Sequence, residues 1–186
     1  GFKWVWAPLV DRMPIPVLTR LLGRRRSWLL LAQLVVVAGL VGMALADPRL
    51  TLGPIVWCAL AVAFGSATQD IALDAFRIES ADANHQAALA ASYQTGYRLA
   101  MIWAGAGVLW IAARSEVAPA VGQVIAQGAA AYQNGAWQAA YLAMAASMVV
   151  GIVTVLFSRE PAPVALPPAK NAAEWIQGAL VAPFAD

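Results

Sequence analysis

Two carboxylates stand one helical turn apart in Ala67-Thr68-Gln69-Asp70-Ile71-Ala72-Leu73-Asp74-Ala75-Phe76-Arg77, just after a run without charge from Leu50 to Gln69. Acids at this spacing share a helix face, and their repulsion lets one of them keep a proton at neutral pH. A buried acid of that kind, with an exchangeable partner, meets the physical requirement for a proton carrier. Asp74 also precedes Arg77 by three residues, a spacing that suits a latch-like ion pair on a helix surface. Two cations lie in similarly apolar surroundings: Lys3 beside Trp4, and Arg98 in Tyr93-Gln94-Thr95-Gly96-Tyr97-Arg98. Charges in such runs are expensive in a membrane and are therefore candidates for function.

The elements that hold these groups follow from composition. Hydrophobic residues make up 61% of the 186 positions and charged residues 12%, too little charge to cover a soluble surface. Ser27–Ala46 and Leu50–Gln69 are uncharged for 20 residues each, and Val117–Ser158 for 42. A hydrocarbon core of ~30 Å needs about 20 apolar residues as a helix, so the chain reads as an all-α polytopic membrane protein. Spans are expected at about 1–10, 27–46, 53–76, 87–113 and 136–157, with a linker over 159–186. A loop is expected at 12–26, a polar patch at 77–86 and a long connector at 114–135. Small residues recur every fourth position at Ser92, Gly96, Ala100 and Ala104, and again at Ala139, Ala143, Ser147 and Gly151, which predicts packing faces. The loop, the patch and the tail share one side and hold eight of the twelve Lys/Arg, which makes that side cytoplasmic. Opening at Gly1 without an initiator Met and stopping at Asp186, the chain is expected to be an internal piece of a longer protein.

One Cys58 and one His85 exclude a disulfide framework and a Cys/His metal cluster. No nucleophile elbow, zinc-protease or phosphate-loop pattern occurs. Two acids on a single helix also argue against an intramembrane aspartyl protease, so no enzyme and no cofactor are expected. At ~1.5 Å per residue, Lys3, Asp70 and Arg98 lie roughly 12, 13 and 16 Å inside, on three different helices. Mutual pairing is the cheapest arrangement at that depth, and Asp70 with Arg98 or Lys3 is the expected pair. Tyr93 and Tyr97 share a face beside Gln94 and Arg98, and Trp4 flanks Lys3. With Gln69, these groups suit a sugar or a peptide, rings stacking on one face while polar groups hold hydroxyls or carboxylates.

The stretches Trp4-Val5-Trp6-Ala7-Pro8-Leu9-Val10-Asp11-Arg12, Leu22-Gly23-Arg24-Arg25-Arg26-Ser27-Trp28, Ser66 to Ala75 and Thr95-Gly96-Tyr97-Arg98-Leu99 resemble AmpG-type permeases. These belong to the peptide–acetyl-coenzyme A transporter branch of the major facilitator superfamily. The resemblance implies a major facilitator-type six-helix bundle, with this chain as helices two (partial) to six of the amino-terminal half and the other half in the same full-length protein. It implies proton-driven import of anhydro-muropeptides, a sugar-peptide substrate, across the bacterial inner membrane, in contact with lipid and without nucleic acid. Asp11, Arg12, Gly23, Arg24 and Arg77 then correspond to a cytoplasmic gate, although about ten extra residues separate Asp11-Arg12 from Gly23-Arg24. An acetyl-coenzyme A or other acylated-anion transporter is the alternative within the class. A membrane assembly or sensor subunit without transport is the alternative outside it.

Overall fold

The structure, a computed structural model, describes residues 6, 7, 10, 13, 15–80, 83–115 and 134–161. These residues form α1 (Leu18–Leu22), α2 (Arg24–Leu45), α3 (Gly53–Glu79), a 3-10 turn (Ala83–His85), α4 (Gln86–Ser115) and α5 (Asn134–Phe157). No strand occurs among the described residues. The helices α2, α3, α4 and α5 are each long and apolar enough to cross a membrane. The chain is an all-α, multi-pass membrane protein.

Local chemistry sets the boundaries. Gly23 adopts φ 89° and ψ 169°, a backbone region open to glycine almost alone, and this ends α1 and starts α2. The three arginines expected in a loop therefore occupy the first turn of α2. At its other end α2 stops at Ala46, extended before Asp47-Pro48, and the Asp47 carboxylate accepts the Arg49 N–H at 2.9 Å to close a tight turn. Pro54 sits in the first turn of α3, where its missing N–H costs nothing. That helix continues through Arg77 to Glu79, three residues beyond the expected end at 76. Ser80 then caps it, its N–H reaching Arg77 O at 3.3 Å and its hydroxyl reaching Phe76 O at 2.5 Å.

α2 is the centre of the bundle, packing against α3 on one side and α5 on another. The α2–α3 seam is close: a Cβ added at Gly39 would stand 2.6 Å from Val62 Cγ2 and 3.0 Å from the Cys58 carbonyl oxygen. Small residues let the backbones approach, the usual means of helix association in lipid. Near the arginine-bearing end, Val10, Leu29, Ala72 and Val155 form a buried cluster with Trp6, Trp28 and Phe76 against it. Trp6 also packs on Phe64, ring centroids 5.2 Å apart.

α4 differs from the others. Its last part, Val108–Ser115, packs on α5, whereas no residue of Gln86–Ile102 is buried. Between them Trp103–Gly107 forms a π-helical turn. The small-residue stripe Ser92, Gly96, Ala100 and Ala104 is exposed, and a Cβ at Gly96 would meet nothing within 4 Å. That stripe is not a packing face within the described residues. The stripe on α5 does pack, with Gly151 against the Gln33 carboxamide of α2. Of the expected span at 1–10, only Trp6, Ala7 and Val10 are described, each helical; the connector 116–133 and the tail 162–186 lie outside the described residues.

Candidate functional site

α3 carries the acids. Thr68, 5% exposed, donates its hydroxyl to Phe64 O at 2.8 Å, so the polar stretch begins with a satisfied side chain. Gln69 and Asp70 follow, both half-buried, and Asp70 is not without a partner. One turn on, the exposed Asp74 sets its Oδ1 3.6 Å from Arg77 Nη2. That ion pair is long and half-open, and such pairs stabilise little by themselves. The two acids thus occupy different environments, and the more enclosed one is Asp70.

On α4 stand Tyr93, Gln94, Tyr97 and Arg98, the first half-buried and the other three exposed. Tyr93 and Tyr97 stack with centroids 6.5 Å apart and planes at 23°, the geometry expected of rings one turn apart. The Arg77 guanidinium lies over the Tyr93 ring, 5.0 Å from its centroid, and joins α3 to α4. Arg98 is exposed, and no ion pair joins it to Asp70 among the described residues. The expected Asp70–Arg98 pair is therefore not formed. The reason is positional: the Gln86–Ile102 part of α4 buries nothing, which leaves Arg98 on an open face. Lys3 and Trp4, expected beside Asp70, and Asp11 and Arg12, expected in the gate, lie outside the described residues.

At the arginine-bearing end a second cluster joins three helices. Arg25, 6% exposed, donates from Nε to Glu79 Oε2 at 3.0 Å and from Nη2 to Glu79 Oε1 at 2.5 Å. This is a bidentate pair between the start of α2 and the end of α3, the strongest ion-pair geometry available to arginine. Glu160, just past α5, accepts the backbone N–H groups of Arg25 at 2.8 Å and Arg26 at 3.2 Å, capping α2 with negative charge. In return the Arg26 guanidinium donates to the carbonyls of Val155 at 2.8 Å and Leu156 at 2.5 Å, capping α5 with positive charge. Thr19, Gly23, Arg24, Arg25, Glu79, Glu160 and Pro161 line an open cleft of about 290 Å³ there.

Of the gate residues expected from sequence, Gly23 and Arg24 border this cleft, while Arg77 stands apart against Tyr93. The sequence points to the Arg24-Arg25-Arg26 cluster as topology determinants or part of a gate but singles out neither Glu79 nor Glu160, and Arg25 rather than Arg24 makes the buried ion pair. A signal was present: Glu79 and Glu160 are acids on the side where positive charge is concentrated, each at the end of an apolar span. Among the described residues no group of His, Cys, Asp and Glu is arranged to hold a metal.

Comparison with known proteins gives this geometry a context. The chain is 32% identical over 185 residues, its whole length, to the anhydromuropeptide permease of Escherichia coli. It is 40% identical over 112 residues, 60% of the chain, to a Rickettsia felis protein named as a transporter, AmpG 4. It is 36% identical over 163 residues, 87% of the chain, to an uncharacterized protein of Haemophilus influenzae. The chain spans between about a quarter and a third of the length of these relatives. No protein-family model and no solved structure matches it. The names attached to such relatives are those of permeases and transporters, not of enzymes. From end to end, the chain is homologous to part of an AmpG-type permease.

Proposed function

We propose that this chain is part of a proton-driven importer of anhydro-muropeptides in the bacterial inner membrane, built on a major facilitator-type bundle whose remaining half belongs to the same protein. The observation that carries the proposal is Asp70, half-buried within a membrane-spanning helix, nine residues before its end, in a chain homologous along its whole length to a permease of that substrate class. A carboxylate at roughly 13 Å depth is costly unless protonated or paired, so it can trade a proton against a partner. The strip Tyr93, Gln94, Tyr97 and Arg98, exposed except for the half-buried Tyr93, supplies two stacking rings, a carboxamide and a cation, the groups that suit a sugar bearing an acidic peptide. The Arg25–Glu79 pair with Glu160 and Arg26 forms the cytoplasmic closure, extending the gate expected of Gly23 and Arg24. No cofactor is needed, since the proton gradient supplies the energy.

The test is uptake of labelled anhydro-muropeptide by cells producing the full-length protein, with and without a protonophore, for wild type and Asp70→Asn. The proposal expects uptake by wild type that the protonophore abolishes, and little concentrative uptake by Asp70→Asn. Equal, protonophore-insensitive uptake by both would overturn it.

A further inference from the structure

The α4 helix carries the substrate-facing groups proposed above on its less anchored part. Val108–Ser115 is held by packing on α5, with Ala112 only 4% exposed, whereas Gln86–Ile102 buries no residue. The π-helical turn Trp103–Gly107 separates the two parts. Such a turn interrupts the α-helical register, is a recognised cause of helix kinks and recurs at functional sites. The Trp103 indole folds back over this turn, so that a Cβ at Gly107 would stand 2.7 Å from Trp103 Cε3. Within the described residues, burial does not fix the direction of Gln86–Ile102, and its contacts with α3 tie it to the bundle.

Two contacts with α3 are in place to do so. One lies at the very start of α4, where the Gln86 Nε2 donates to Ile78 O at 3.1 Å. The other lies two turns further on, where the Arg77 guanidinium covers the Tyr93 ring at 5.0 Å. Arg77 is itself held from one turn back by Asp74 at 3.6 Å, and its buried Nε has no hydrogen-bond partner. The guanidinium is thus placed by an acid on one side and an aromatic face on the other. Tyr93 in turn stacks on Tyr97, which is 51% exposed beside Arg98.

We propose that Arg77 is a positioning residue for transport: through Tyr93 it clamps the Gln86–Ile102 part of α4 to α3 and so sets the place of the Tyr97–Arg98 surface that meets substrate. The substrate part of this proposal rests on the transport reading above. The clamp itself does not, and the two are tested separately.

Pairs of spin labels in the full-length protein, with Cys58→Ala, read the clamp directly. One pair is placed at Ile78 and Leu99, exposed sites on α3 and the first part of α4; a control pair is placed at Leu109 and Leu142, exposed sites on the packed part of α4 and on α5. Arg77→Gln is expected to broaden the first distance distribution and leave the second unchanged; a general loss of structure would move both. Arg77→Lys keeps the charge but not the flat guanidinium over the ring and is expected to fall between wild type and Arg77→Gln, whereas Tyr93→Leu, which removes the ring, copies Arg77→Gln. In uptake, Arg77→Gln is expected to raise KM for labelled anhydro-muropeptide about two- to fivefold, the range of an exposed cation–π contact, with the maximal rate little changed. An unchanged Ile78–Leu99 distribution in Arg77→Gln overturns the clamp whatever the uptake shows. A broadened distribution with an unchanged KM overturns its bearing on substrate. If wild type takes up no muropeptide, the proposed function fails, and the distance comparison still decides the clamp.

Discussion

Removing either partner of the Arg25–Glu79 pair is the most quantitative perturbation that the structure offers. The two side chains are 7% and 13% exposed, and two hydrogen bonds join them. Each charge stands at the unfavourable end of its own helix: Arg25 at the positive start of α2 and Glu79 at the negative end of α3, a conflict of about 0.3–1 kcal/mol apiece. Glu79→Met takes from the buried Arg25 the carboxylate that binds it through two hydrogen bonds, and breaking a buried pair from one side costs about 3–5 kcal/mol. Each kcal/mol shifts the melting midpoint by roughly 2–4 °C in a chain of 150–250 residues and by about a third of that in a protein three times longer, so a loss of about 2–6 °C is expected in the full-length protein. Arg25→Met alone should behave similarly. The double variant Arg25→Met/Glu79→Met removes both charges of the pair and both dipole conflicts, and should lose clearly less than the sum of the two single variants. Thermal denaturation of the detergent-purified full-length protein, followed by loss of the monodisperse species, measures all four forms. Single variants that melt with wild type would show that the pair is effectively solvated. Losses that simply add in the double variant would show that the two side chains do not interact, and either result refutes the reasoning.

Two further outcomes follow from backbone geometry. Gly23→Ala forces a side chain into a glycine-only conformation and into the Glu160 carboxylate, so it should cost about 1–3 kcal/mol, and Glu160→Ala in the same background should not recover it, because the backbone strain remains and the α2 cap is lost. Gly39→Val should lower the melting midpoint by the equivalent of about 1–3 kcal/mol by pushing α2 from α3; Val62→Ala should restore only part, since the Cys58 carbonyl oxygen also stands in the way.

The spanning helices were legible because lipid imposes a simple rule: uncharged runs of about 20 residues must become helices. The position of Asp70 and Asp74 within one of them, and the Asp74–Arg77 spacing, could be read in the same way. Arg24-Arg25-Arg26 looked like a loop because nothing local satisfies three cations. Arg25 pairs with Glu79, 54 residues away, and the Arg26 guanidinium donates to the Val155 and Leu156 carbonyls, 129 and 130 residues away; such pairings leave no local pattern. Of the two partners expected for Asp70, Lys3 lies outside the described residues, and Arg98 does not pair because equal depth fixes one coordinate only and α4 turns Arg98 to an open face. The stripe from Ser92 to Ala104 failed for a related reason: small residues permit close approach without specifying a neighbour. The π-helical turn was invisible because Trp103-Ala104-Gly105-Ala106-Gly107 is compatible with ordinary helix, and only backbone geometry reveals the change of register.

Proton coupling through Asp70 is the central claim, and proton movement itself tests it most directly. The full-length protein is reconstituted in liposomes enclosing a pH-sensitive dye, and anhydro-muropeptide is added outside without any imposed gradient. Wild type is expected to acidify the interior as substrate enters, and Asp70→Asn is expected to give no acidification even if substrate still equilibrates. Substrate entry by wild type with no change in internal pH, or equal acidification by Asp70→Asn, would contradict the account.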